Sequence, residues 1–321
     1  MDQNGYLIQV RDLKKYFYRE RLFSSDREPI RAVDGITFSI RKGETLGLVG
    51  ESGCGKTTAG KAILRLIEPT SGEVLFKEGN IFNLNREDLR RLRPHMQFIF
   101  QDPYESLNPR MRVGEIVGEG LEIHRIAQGR EKAERVSEIL EKVGLHPGDA
   151  IRYPHEFSGG QRQRIGIARA ISLHPELIVA DEPVSALDVS IQAQILNLLM
   201  DLRDQLGLTY LFISNDLRIV KHISDRIAVM YLGKMVEMAR GEDLFHQPLH
   251  PYTQTLLQAI PRFPLGRSEK PSLKEEFRPG GTVKGCLFQS RCPHSEEKCQ
   301  TEEPLLMDHG EEHLVACHFV S

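Results

Sequence analysis

Residues Gly50 to Thr58, GESGCGKTT, carry the strongest structural signal in the sequence. They are Gly50, Glu51, Ser52, Gly53, Cys54, Gly55, Lys56, Thr57 and Thr58, and they fit G-x-x-x-x-G-K-[ST]. Glycines permit a tight turn in which successive backbone N–H groups point inward at phosphate oxygens. In this pattern Lys56 reaches the β- and γ-phosphates, and the Thr57 hydroxyl is a ligand for Mg²⁺. The stretch predicts a phosphate-binding loop for a nucleotide.

The sequence on both sides of this loop supports the prediction. The apolar run TLGLVG (Thr45 to Gly50) predicts a buried parallel strand, and KTTAGKAILRLI predicts a helix with Ala59 and Ile63 on one face. A strand, a glycine loop and a helix in this order are the context that such a loop requires, because the helix N-terminus adds its positive dipole end. The alternative is a glycine-rich turn with a surface lysine, which needs neither flanking element.

Length and composition limit the classes of function. The chain has 321 residues, 27 % charged, with a formal net charge of −3. This balance gives no electrostatic reason to expect nucleic acid as a partner. There is no run of 18 apolar residues and no basic segment followed by an apolar stretch at the N-terminus, so we expect a cytoplasmic location.

The remaining pattern predicts an α/β fold with a mixed or parallel sheet. Apolar strands, including Leu177 to Asp181 and Tyr210 to Ser214, alternate with helical stretches such as Val189 to Leu206. The segment Leu13 to Ile30 is polar, basic and aromatic, and we expect a solvated loop there. We predict an ATPase domain over 1–260, with a helical subdomain at about 103–157, and a linker with a cysteine-rich extension over 261–321.

Two further stretches complete a candidate site. LIVADEP places Asp181 and Glu182 at the end of an apolar strand, where Asp181 is expected to hold Mg²⁺ and Glu182 to polarise an attacking water. FSGGQ places two glycines behind a serine that can cap the following helix. The residues of this second stretch that we expect near phosphate are Ser158, Gly159, Gly160 and Gln161.

Taken together with SALD (Ser185 to Asp188), these stretches resemble the ATP-binding subunits of ABC transporters over nearly the whole chain. The resemblance implies that GESGCGKT is the Walker A motif, SGGQ the signature motif, LIVADEP the Walker B motif and SALD the D-loop. It implies that Gln101 is the Q-loop glutamine, close to Mg²⁺ and ATP. It also places Phe17, with Tyr16 as neighbour, where the family stacks an aromatic ring on adenine.

The resemblance also implies partners and a substrate class. Two cassettes pair head to tail, so that Ser158 and Gly160 contact the γ-phosphate of the ATP held by a second ATPase subunit. The motifs HPYT (His250 to Thr253) and GCLFQSRCP resemble those of dipeptide and oligopeptide importers, which work with two transmembrane permease subunits and an external substrate-binding protein. Related importers of nickel or sugars, and an ABC protein that regulates without transport, remain alternatives.

One position departs from the family pattern. After the strand LFIS, where the family has a histidine at the γ-phosphate, this chain has Asn215. An amide can hydrogen-bond phosphate, but it cannot carry a proton as imidazole does. We therefore expect this half-site to bind ATP and to hydrolyse it slowly, either because the chain is one member of an asymmetric pair or because the histidine was replaced. The alternative is that Asn215 is merely tolerated at this position.

The C-terminal region contains four of the five cysteines: Cys286, Cys292, Cys299 and Cys317. Their spacing matches neither ordinary zinc ribbons nor bacterial ferredoxins, and zinc, an iron–sulfur cluster and free thiols all remain open on the residues alone. The family resemblance implies a [4Fe–4S] cluster on these cysteines, with Zn²⁺ as the alternative.

Overall fold

The computed structural model describes residues 5–18, 29–259 and 284–320. It divides by its internal contacts into two compact units. Of the described residues, the first unit contains 5–9, 39–45 and 75–213, and the second contains 10–18, 29–38, 46–74, 214–259 and 284–320.

The strands are β1 (Tyr6–Tyr18), β2 (Pro29–Arg41), β3 (Thr45–Val49), β4 (Ser71–Phe76), β5 (Gly79–Asn80), β6 (Met96–Ile99), β7 (Leu177–Asp181), β8 (Thr209–Ser214), β9 (Arg226–Tyr231), β10 (Lys234–Arg240), β11 (Met307–Asp308) and β12 (Leu314–Val315). The helices are α1 (Lys56–Ile63), α2 (Arg86–Leu92), α3 (Pro103–Ser106), α4 (Val113–Ile123), α5 (Gly129–Lys142), α6 (Gly159–Ile171), α7 (Val189–Leu206), α8 (Leu217–Ile223), α9 (Gly241–His246), α10 (Pro251–Gln258) and α11 (Glu297–Thr301).

The core of the second unit is a run of neighbouring strands in the order β11-β12-β10-β9-β3. Strands β3 and β9 are parallel, with Val49 opposite Val229, and every residue of both strands is buried. Such continuous apolar runs are expected where both faces of a parallel sheet are covered. Strand β12 pairs antiparallel with β10, which ties the cysteine-rich extension into the same unit.

The core of the first unit is a parallel run in the order β8-β7-β6, with Val179 opposite Phe98 on one side and Leu211 on the other. Helices α4, α5 and α6 pack on one another in this unit. Helix α5 buries Val136, Ile139 and Leu140 on one face, as its helical spacing predicts.

The α/β fold predicted from the sequence is confirmed. One local prediction is wrong: β1 continues to Tyr18 and β2 begins at Pro29, so all of the described part of the expected loop Leu13 to Ile30 is strand. The strand signal is weak there because the half-buried Lys14, Lys15 and Tyr16 and the exposed Phe17 and Tyr18 do not alternate between apolar and polar residues. The predicted linker between 261 and 283 lies outside the described residues, and the predicted boundary at residue 260 stays a prediction.

Within the described ranges, no helix combines the length and the apolar character needed to cross a bilayer.

Candidate functional site

The glycine-rich loop connects the end of β3 to the start of α1. Gly55 is the N-cap of α1 with φ +109°, and a Cβ atom there would lie 1.9 Å from the Ala32 carbonyl oxygen. At Gly50 a Cβ atom would lie 2.1 Å from the Met230 carbonyl oxygen. Only glycine fits these two positions, because no side chain can be accommodated against fixed backbone at such distances.

Lys56, the first residue of α1, is 4 % exposed, and its ammonium group is held by the loop itself. Its Nζ donates to the carbonyl oxygens of Gly50 at 2.8 Å and Glu51 at 3.0 Å. The cation therefore lies inside the curve of the loop at a helix N-terminus, where an anion is favoured by both the ammonium and the helix dipole. Thr57 and Thr58 follow in the first turn of α1 and are half-buried.

Glu51 of this loop is fixed by residues far along the chain. Its two carboxylate oxygens accept from Arg291 Nη1 at 2.9 Å and Nη2 at 2.8 Å. Its backbone N–H donates to Tyr252 Oη at 3.0 Å. The sequence alone predicts neither contact, since HPYT, which contains Tyr252, indicates only a family motif.

In the first unit, the end of β7 presents the two acidic residues. Asp181 is 2 % exposed, and Glu182 has φ +45°, a left-handed conformation that is uncommon for a side-chain-bearing residue. The Glu182 N–H donates to the Ile213 carbonyl at 2.9 Å. Gln101 Nε2 donates to Glu182 Oε2 at 3.1 Å. The structure thus brings together two of the predicted catalytic residues, Gln101 and Glu182.

The third predicted catalytic residue, Asn215, belongs to the second unit. It follows directly on Ser214, the last residue of β8, and is exposed. Asp216 caps α8 by accepting from the Arg218 N–H at 2.8 Å, so the turn that carries Asn215 is fixed at both sides. The predicted contact of Asn215 with a γ-phosphate stays a prediction.

The predicted signature residues form the N-terminus of α6. Ser158 accepts from the Gln161 N–H at 3.3 Å, and the Gln161 side chain accepts from the Ser158 N–H at 3.0 Å, which is a capping box. Ser158, Gly159 and Gln161 are exposed. A Cβ atom on Gly160 would lie 2.5 Å from Ile191 Cγ2, so glycine permits the close approach of α6 and α7.

The two predicted adenine-stacking aromatics differ in their surroundings. The Tyr16 hydroxyl donates to Asp34, and burial together with this hydrogen bond raises the pKa of Tyr16 to about 12. Phe17 is 42 % exposed, with Lys15 Nζ 4.9 Å from its ring centroid. The hydroxyl of Tyr16 is thus hydrogen bonded within the protein, whereas the ring of Phe17 is partly exposed to solvent.

The four C-terminal cysteines line one cavity of about 580 Å³ and form no disulfides. Burial raises the pKa of Cys286 to about 11, and burial also raises the pKa of Cys292. Across the described parts of the chain, however, no three His, Cys, Asp or Glu side chains are arranged so that they could hold a metal ion. The four thiols of the cysteine-rich segment therefore line one cavity, but they are not arranged in a geometry that could bind a metal ion.

The fold and the glycine loop define the class: an ATP-binding cassette. The family model described as "ABC transporter" matches residues 33–185, and "Oligopeptide/dipeptide transporter, C-terminal region" matches residues 236–299. The chain is 52 % identical to the oligopeptide transport ATP-binding protein AppF of Bacillus subtilis over 98 % of both chains. It is 54 % identical to OppF of the same organism, an oligopeptide transport ATP-binding protein, over 85 % of this chain and 88 % of that one.

A solved structure supports the same class. A dimeric ATP-binding cassette in a post-hydrolysis state, bound to ADP and phosphate, is 28 % identical with a TM-score of 0.64 and covers 73 % of this chain and 98 % of its own. The chain belongs to the ABC transporter ATPases, in the branch that carries the oligopeptide/dipeptide C-terminal region.

Proposed function

We propose that this protein is the ATP-hydrolysing subunit of an importer of dipeptides or oligopeptides. The relatives that are about half identical over nearly all of the chain are named for oligopeptide transport, and the C-terminal family region is the one described for such transporters. ATP-driven closure of a pair of cassettes would be coupled to two permease subunits, with an external binding protein delivering the peptide. The protein would lie peripherally on the inner face of the membrane.

The nucleotide site is assigned by residue. Backbone N–H groups from Gly50 to Thr58 and the Lys56 ammonium would bind the β- and γ-phosphates, and Phe17 would stack on adenine. Mg²⁺, which neutralises charge on the phosphates, would be held by the Thr57 hydroxyl, Gln101 and the buried carboxylate of Asp181; these oxygen donors suit that ion. Glu182 would orient the attacking water and accept its proton.

The observation that carries this proposal is the position of Lys56, a buried cation held by loop carbonyls at the start of α1. In the bound state the same ammonium would exchange these carbonyls for phosphate oxygens. The test is Mg-ATP binding by the full chain, with Lys56→Ala beside Lys61→Ala, a change on the same helix. Binding lost only in Lys56→Ala supports the site, and equal binding by all three proteins contradicts it.

The proposed assembly includes a second cassette, because the family resemblance implies that the signature residues contact the ATP held by a partner subunit. Exposure of Ser158, Gly159 and Gln161 on the capped start of α6 supports their use by a partner's ATP. The permeases would dock near Gln101 and the segment Tyr104–Leu107. Tyr104 supports this, because its side chain is 66 % exposed while Arg162 lies 4.1 Å from its ring centroid and fixes the ring.

Transport of peptide is tested separately from ATP binding. Cells lacking this gene would regain uptake of a labelled tripeptide with the wild-type gene and not with Lys56→Ala. Restored uptake of nickel or a sugar instead of peptide would assign the protein to the alternative importers. ATP binding without any transport phenotype would favour the regulatory alternative, which Asn215 supports.

For the four cysteines we propose a structural [4Fe–4S] cluster, with Zn²⁺ as the alternative. The supporting observation is that all four thiols line the same cavity. Four thiols are the donor set for such a cluster, and binding would require them to draw together and lose their protons. Iron and acid-labile sulfide in anaerobically purified protein support the cluster, and zinc in their place supports the alternative. Protein that contains neither iron nor zinc contradicts both the cluster and the zinc site.

A further inference from the structure

We propose that Arg291, in the cysteine-rich extension, is a positioning residue of the nucleotide site and acts through Glu51. The inference rests on the proposed nucleotide site. It assigns to the C-terminal extension a part in ATP binding, although Arg291 lies 240 residues from Glu51 in sequence and outside the matched cassette region 33–185.

The contact has the geometry of a strong ion pair. Both terminal nitrogens of Arg291 donate to the two Glu51 oxygens, at 2.8 and 2.9 Å. The Arg291 side chain is 7 % exposed, and that of Glu51 36 %. Paired, parallel hydrogen bonds between guanidinium and carboxylate are stronger and more specific in geometry than hydrogen bonds between neutral groups.

The guanidinium is itself held in place by aromatic rings. It lies 5.7 Å from the ring centroids of both Tyr231 and Phe288. Phe288 packs edge-on against Tyr231 and is 2 % exposed. Tyr252, whose hydroxyl accepts the Glu51 N–H, packs against both rings. Arg291 therefore contacts the loop from within a packed aromatic cluster and is not a free surface side chain.

The Glu51 carboxylate requires a positively charged partner because it lies in the phosphate-binding loop. Its carbonyl oxygen accepts from Lys56 Nζ, so the residue is part of the phosphate-binding loop. A carboxylate in that loop repels phosphate oxygens, and the repulsion is large when the charge is partly removed from water. Arg291 compensates this negative charge and holds both carboxylate oxygens in a fixed ion pair. Loss of Arg291 would leave an uncompensated carboxylate beside the phosphates.

The test is a double-mutant cycle in the full chain, measured as the Kd for Mg-ATP and as KM and kcat of ATP hydrolysis. Arg291→Ala is expected to raise Kd and KM about tenfold, the scale of a lost charge-assisted contact, and to change kcat less than about twofold. Arg291→Lys keeps the charge without the fork and is expected to recover part of the affinity. Lys298→Ala, which removes an exposed lysine of the same extension, is the matched control.

Glu51→Gln distinguishes a positioning role from a merely structural one. If Arg291 acts through the Glu51 charge, Arg291→Ala in the Glu51→Gln background changes Kd by less than about twofold, and the two changes are strongly non-additive. If Arg291→Ala weakens ATP binding equally in both backgrounds, the substitution acts by loosening the extension and the inference is wrong. Failure of the wild-type protein to bind ATP would instead contradict the proposed function.

Discussion

Gln101 and Glu182 are hydrogen bonded through their side chains, with Gln101 Nε2 3.1 Å from Glu182 Oε2, although 81 residues separate them in the chain. The amide donates to the carboxylate, so Glu182 enters the site as an oriented acceptor. Its backbone is held in the left-handed region at φ +45°, anchored by the bond from its N–H to Ile213. Local strain of this kind persists only where the surrounding structure enforces it, and it is concentrated at functional sites.

Replacing the Glu182 carboxylate should therefore separate binding from hydrolysis. Glu182→Gln keeps the side-chain shape but cannot accept a proton, so we expect phosphate release to fall by about 10²-fold or more while Mg-ATP binding is retained. Single-turnover phosphate release beside equilibrium ATP binding measures both. Glu141→Gln, an exposed carboxylate on α5, is the control. Undiminished turnover in Glu182→Gln would remove Glu182 from its assigned role.

Ser158 is the N-cap of α6, and replacing it with aspartate keeps the cap while adding a negative charge at the predicted dimer interface. Aspartate is as good an N-cap as serine, so Ser158→Asp should leave the unfolding midpoint of the protein nearly unchanged. Its negative charge would repel the γ-phosphate of a partner's ATP, and we expect ATP-induced dimerisation to be lost.

The comparison for this prediction is Ser158→Ala, which removes the cap. Ser158→Ala should cost about 1 kcal/mol of unfolding free energy in urea denaturation. Dimerisation is measured by light scattering with Mg-ATP in the Glu182→Gln background, where hydrolysis does not release the dimer. Dimers of undiminished affinity in Ser158→Asp would show that α6 does not meet a partner's nucleotide.

The buried His250 predicts a pH dependence of stability. Burial lowers the pKa of His250 from its usual 6.5 to about 4, against the opposing effects of Glu237 and a backbone hydrogen bond with Ala316. Its Nδ1 accepts from the Tyr252 N–H at 3.0 Å, a cap that requires the neutral ring. Between pH 6.5 and 4 the unfolded chain binds a proton that the folded chain does not, so the stabilising contribution is complete above pH 6.5 and is lost as the pH falls towards 4.

The expected loss between these limits is about 3 kcal/mol, because one pKa unit corresponds to about 1.4 kcal/mol. His250→Asn can still cap α10 but does not titrate, and it should reduce the pH dependence of the unfolding free energy by that amount. His155→Asn, at an exposed histidine, should leave the slope as in the wild type. Parallel slopes for all three proteins would show that His250 titrates normally in the folded state.

Much of the cassette could be predicted from the sequence because its signals are local. The apolar strands β3, β7 and β9 are short, continuous runs, and the glycines of the loop follow a fixed spacing. In contrast, the sequence predicts too short a strand β1, because Lys14, Lys15 and the aromatic residues after them do not follow an apolar/polar alternation. The ion pair between Arg291 and Glu51 has no local signal at all, since it joins residues 240 positions apart, with Arg291 held beside the rings of Tyr231 and Phe288.

Asn215 is the residue at which we expect the nucleotide site to bind ATP fully and to hydrolyse it slowly. The most direct measurement is steady-state ATP turnover of the full chain beside Asn215→His at saturating Mg-ATP. We predict that histidine raises kcat by about 10²-fold with little change in the Kd for ATP, since a positioned proton-transfer group contributes on this scale. Equal turnover by the two proteins would contradict the account, and Asn215 would then be an adequate residue at this position.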